Sequence, residues 1–80
     1  MTVYFAKAEI LCDKDGKYIV RAFWDKHAGY GVDILYLSDG KKEAGFFETF
    51  EKPVFLTDRK AALKRFATKV KRISRIADES

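Results

Sequence analysis

Between Thr57 and Ala77 the chain carries eight basic residues and a single acid, Asp58, whereas the residues before Thr57 are close to neutral. Seven of those cations, Lys60, Lys64, Arg65, Lys69, Lys71, Arg72 and Arg75, are separated by three, four and seven positions. With successive helical residues about 100° apart, Lys60, Lys64, Lys71 and Arg75 form one flank of a helix, and Arg65, Lys69 and Arg72 form another. Both flanks are expected to point outward. The chemistry they could do is electrostatic: ammonium and guanidinium groups displace counterions from phosphates, and a helix bearing them can enter a major groove. The bland alternative is a solvated face whose aliphatic stems cover apolar edges. Against it stand the like-charge pairs Lys60/Lys64, Arg65/Lys69 and Lys71/Arg75, each of which costs a few tenths of a kcal/mol unless a negative partner relieves it.

Covalent chemistry has much less to work with. His27 is the only histidine and Cys12 the only cysteine, so one chain cannot supply a zinc site of ordinary ligand count. Asp13-Lys14-Asp15-Gly16 opens like a calcium loop, but Tyr18 stands where such a loop needs glycine and Trp24 where it needs glutamate. Ser38 lies beside Asp39 with no motif that would make a nucleophile and its base. Gly29-Tyr30-Gly31 lacks the Lys-Ser/Thr or third glycine of a phosphate-cradling loop. Tyr30 could instead stack on a base, as an aromatic between two glycines. We read a binding protein with no catalytic residues, no metal and no cofactor.

Positioning these groups requires a fold, and 80 residues allow one small domain with a thin core. The composition, 48% hydrophobic and 35% charged, is that of a globular chain and not of a basic tail. With one cysteine no intrachain disulfide can form, which favours a cytoplasmic setting. No apolar run approaches the ~20 residues of a membrane span.

Period-two alternation predicts a first strand over 2–12, with Tyr4, Ala6, Ala8, Ile10 and Cys12 on its inner side. Asp15-Gly16 then marks a reversal into a second strand near 17–25, whose inner side is Tyr18, Val20, Ala22 and Trp24. Residues 27–31 read as a connection, followed by a third strand through Val32, Ile34 and Tyr36. A turn at 38–42 precedes a fourth strand over 45–51, whose inward face alternation does not settle. Pro53 has no N–H for a ladder, so 53–56 reads as an edge or connecting segment. Thr57 is placed to cap a helix over about 58–77, on which Ala62, Leu63, Phe66, Val70, Ile73 and Ala77 share an arc. The predicted class is α+β: an antiparallel sheet of about four strands followed by one long C-terminal helix packed on one face.

A single helix covers only one side of such a sheet. Strand parity then leaves Phe5, Ile19, Phe23, Leu35 and Leu37 on the far side, a candidate protein interface or homodimer contact.

Phe55-Leu56-Thr57-Asp58-Arg59-Lys60-Ala61-Ala62, following hairpin strands, resembles the arm-type DNA-binding modules of phage integrases. Those place a three-stranded sheet before a helix opened by a Phe-x-Thr-like segment and an alanine-rich turn. The present chain departs in its extra N-terminal strand and longer basic helix. In size and plan it is also similar to small phage anti-CRISPR proteins. Two expectations follow. One is a nucleic-acid-binding protein acting through the basic helix; the other is a phage or mobile-element inhibitor that binds a host protein or nucleoprotein through an acidic or apolar surface. Membrane binding by the helix ranks below both, because its apolar face is needed by the sheet.

Overall fold

The computed structural model describes residues 6–39 and 47–79. Four antiparallel strands, β1 (Ala6–Cys12), β2 (Gly16–Asp25), β3 (Gly29–Ser38) and β4 (Glu48–Leu56), lie in the order β1-β2-β3-β4 and precede one helix, α1 (Arg59–Glu79). This is the expected α+β plan, with α1 packed mainly over the two central strands. Phe5, Tyr4 and the expected beginning of the fourth strand at 45–46 lie outside the described residues.

The turns set the register. Asp13 accepts the amides of Asp15 and Gly16 on Oδ1 at 2.9 and 2.7 Å, and its own amide donates to the Gly16 carbonyl. Asx geometry of this kind reverses the chain locally. A side chain at Gly16 would come within 2.2 Å of the Leu37 carbonyl, so only glycine fits there. The Tyr36 hydroxyl donates to the same Asp13 oxygen at 3.3 Å; burial, followed by the charge of Asp13, pushes its pKa up to about 12. The β2–β3 connection is shorter than the expected 27–31. Asp25 Oδ1 accepts from His27 and Ala28, only 26–28 form the turn, and Gly29 supplies the positive φ of 98° that re-enters the ladder. These two amides hold the Asp25 carboxylate below its ordinary pKa.

The core lies between the sheet and α1. Val20, Val32, Ile34 and Ile73 are fully buried, joined by Tyr18, Ala22, Ala62 and Phe66. Burying each such aliphatic side chain is worth about 2 kcal/mol, and Ala62, Phe66 and Ile73 recur at helical period because only one stripe of α1 meets the sheet.

In β1 the side expected to face inward does not. Lys7 pairs with Ala22, Glu9 with Val20 and Leu11 with Tyr18, which puts Lys7, Glu9 and Leu11 on the helix side and Ala6, Ala8, Ile10 and Cys12 on the other. Leu11 packs on the core, and Ile10 is 58% exposed. The physical reason is position. An edge strand lies at the margin of the helix's cover, so its covered side tolerates charge and its alternation no longer reports which side is buried.

β4 continues through Pro53, as an edge strand can, and its register slips between Val32 and Ile34 and again between Ile34 and Leu35. At the second slip Phe50 and Glu51 both reach the helix side. Phe50 meets the Tyr18 ring edge-on at 5.1 Å, and Glu51 reaches α1. A bulge abolishes period two locally, which is why alternation left this face open.

Candidate nucleic-acid interface

α1 is capped one residue later than expected. Asp58, not Thr57, accepts the Ala61 amide on its side chain at 3.3 Å, while its carbonyl takes the Ala62 amide. A carboxylate there meets both the free amides and the positive end of the helix dipole. From this start the helical period carries Lys60, Lys64, Lys71 and Arg75 to the side opposite Ala62, Phe66 and Ile73. All four are exposed, and none is ion-paired among the described residues. The sixteen residues from Lys60 to Arg75 make a ridge about 22 Å long. Thr68, beside this ridge, donates its hydroxyl to the Lys64 carbonyl at 3.1 Å.

The second flank is different. Arg65 is exposed, but Lys69 is only 8% exposed and lies on the buried stripe between Phe66 and Ile73. Its ammonium donates to Glu51 Oε1 at 2.5 Å, and the Arg72 guanidinium takes the other oxygen, Oε2. The expectation that Lys69 points outward is therefore corrected. A buried cation requires a carboxylate, and the β4 bulge delivers one. The hydrogen bond from Lys69, with a further one from Arg72, holds the Glu51 carboxyl below its ordinary pKa despite partial burial. Lys69 and Arg72 thus tie the helix to β4, whereas the far ridge, with Arg65 beside it, presents charge that is ion-paired to no acid among the described residues. The signal in the sequence was a lysine on an apolar arc together with a glutamate in an aromatic strand. Glu51 itself was not singled out.

Tyr30 is not a free stacking ring. It sits opposite Trp24 and Leu56 on the helix-facing side and packs half-buried against the core. On the other side of the sheet the register brings Ile19 beside Leu35, Leu37 beside Lys17, and Phe23 beside Gly31. There Phe23 and Phe55 meet edge-on at 6.0 Å across Gly31, where an added Cβ would lie 2.6 Å from the Phe23 ring. Asp33, 2% exposed, is held bidentately by Arg21 at 2.9 and 2.5 Å, and the guanidinium also lies 5.3 Å from the Phe23 ring centre. Ile19, Phe23, Leu35 and Leu37 therefore share a half-buried face turned away from α1, bordered by Phe55 at 42% exposure.

Among the described residues no three His, Cys, Asp or Glu side chains are grouped to hold a metal, and no helix is long and apolar enough to cross a membrane. Compared with family models, curated proteins and solved structures, the chain has no match.

Proposed function

We propose that this is a small non-enzymatic cytoplasmic binding protein that contacts the phosphate backbone of nucleic acid through the outer ridge of α1. The observation that carries the reading is the division of labour along the helix. Lys69 and Arg72 share the one carboxylate of Glu51, while Lys60, Lys64, Lys71 and Arg75 line the opposite side with no acid among the described residues paired to them. Cations in a row despite mutual repulsion favour a polyanion, and a helical ridge about 22 Å long spans several phosphates. The contacts this ridge makes are to backbone phosphates, which give affinity and strong salt dependence without base readout. The resemblance of Phe55 to Ala62 to arm-type modules favours DNA.

Fluorescence anisotropy of labelled duplex DNA and single-stranded RNA, at low and near-physiological salt, tests this. Replacing Lys64, Lys71 and Arg75 together by Ala should weaken binding by about tenfold or more and flatten the log–log salt slope by about 2 to 3, with the thermal midpoint unchanged. Unchanged affinity in that variant rejects the ridge as the contact surface.

A second reading has its own support on the other face. Ile10 stands exposed opposite Ile19 and Phe55 stands exposed against Phe23, and such an apolar surface suits a protein partner, as in an inhibitor of a phage or mobile element. If nucleic acid fails to bind at low salt, that reading takes precedence.

A further inference from the structure

The two edges of the sheet are built differently. β4 carries Pro53, which has no N–H to offer, and its two register slips distort the strand. β1 runs in unbroken register from Ala6 to Cys12, with no proline or bulge, and among the described residues no strand pairs with its outer edge. Its backbone groups there form a regular ladder half.

We infer that this edge pairs with a second copy of the chain, β1 against β1 in antiparallel fashion about a two-fold axis centred on Ala8. The occupant is specified by self-complementarity. A two-fold axis through the sheet keeps both helices on one face, so each residue meets one of like orientation. Centred on Ala8, the pairing puts Lys7 opposite Glu9 of the second copy and Glu9 opposite Lys7 of the second copy, both on the helix side. Centring on Lys7 or on Glu9 would oppose identical charges, and centring on Ile10 would set Glu9 against Leu11 of the second copy.

The outer side of the strand fits the same register. Ile10, the most exposed large apolar side chain described, would lie opposite Ala6 of the second copy. Ala6 and Ala8 there border, with Lys7, Arg21, Ala22 and Phe23, a shallow hollow of about 380 Å³. The two alanines leave the space that an isoleucine from the neighbouring strand fills, and symmetry repeats the contact. The product is a continuous eight-stranded sheet with both basic ridges directed from the same face, in which Ile10 is covered and β1 no longer has an open edge.

Sedimentation equilibrium and light scattering over a micromolar concentration series test the dimer, with circular dichroism to verify folding of each variant. The wild-type chain should show a concentration-dependent dimer. Lys7→Glu and Glu9→Lys should each weaken it by about tenfold or more, since symmetry places each like-charge contact in the interface twice. Lys7 also lies over the Phe66 ring at 5.2 Å, so Glu9→Lys serves as the variant that leaves that contact in place. The decisive sample is the equimolar mixture of the two variants. It should form a heterodimer, because one copy then presents two glutamates and the other two lysines in matching positions. A monomeric wild-type chain overturns the inference, as does a mixture that stays monomeric. A dimer that survives both charge variants and is lost on Phe23→Glu overturns it too, by placing the contact on the outer sheet face.

Discussion

The two basic flanks of α1 are built from the same residue types at helical spacings, yet Lys69 and Arg72 on one meet a different fate from the four cations on the other. Lys69 is drawn into the core margin and held with Arg72 on a single carboxylate, whereas Lys60, Lys64, Lys71 and Arg75 project from the far side of the helix. What separates them is the strand beneath. The bulge in β4 swings Glu51 towards the helix at the point where Lys69 passes over it, and no acidic residue is so placed for the outer ridge among the described residues. A count of positive charges therefore overstates the charge available to a partner, because part of it holds the helix on the sheet.

The largest test of this contrast is removal of the shared anchor. Glu51→Ala should cost about 2 to 3 kcal/mol in urea unfolding, since it strands the buried Lys69 ammonium without a counter-ion. A loss below about 0.5 kcal/mol would show that the two flanks are equivalent after all. Pairing Glu51→Met with Lys69→Met should recover most of the loss, because replacing both charges removes the unpaired one.

Acid should reproduce the same effect reversibly. The carboxyl of Glu51 has its pKa lowered from 4.5 in the folded protein, chiefly by the Lys69 hydrogen bond, so it binds its proton more weakly when folded than when unfolded. Its contribution is complete above the unfolded value and is lost as pH falls through the depressed folded value. Thermal midpoints recorded downward from pH 6 should therefore drop more steeply for the wild-type chain than for Glu51→Gln, which has no proton to gain. Parallel curves would remove Glu51 from the acid response.

The smallest effect belongs to the ridge. Lys64→Glu should leave stability unchanged or raise it by about 0.3 kcal/mol, since it converts the repulsive pair with Lys60 into an attractive one. The same change should weaken nucleic-acid binding more than Lys64→Ala does. A destabilised variant would mean that Lys64 has a structural contact after all.

Much of this architecture was legible in the linear pattern. The inner residues of β2 and β3, Tyr18, Val20, Ala22, Val32 and Ile34, alternate because these central strands lie fully beneath α1, and Ala62, Phe66 and Ile73 repeat at helical period because one stripe of α1 meets them. The edge strands were harder to read. In β1 the alanines and Ile10 mimic a buried face, yet the single residue that reaches the core, Leu11, has the opposite parity. In β4 the bulges put Phe50 and Glu51 on one side, so no period-two rule could orient them. The cap moved from Thr57 to Asp58 because either side chain can accept an amide, and local geometry selects the one whose carboxylate lies over Ala61.

By itself, then, the order of residues determined the four strands, the long helix, the composition of the central core and the segregation of positive charge to one element. Those properties depend on periodicity and local turn chemistry, which are written within a few residues of one another. Only the tertiary structure decided which cations are used within the molecule and which remain for a partner, because that depends on the meeting of Glu51 with Lys69 and Arg72 across a bulge. It also decided which edge of the sheet is closed by Pro53 and register slips and which, at β1, is left regular. The reason in both cases is that burial and strand neighbours are properties of position in space, and a bulge or an edge alters them without altering the local pattern of residues.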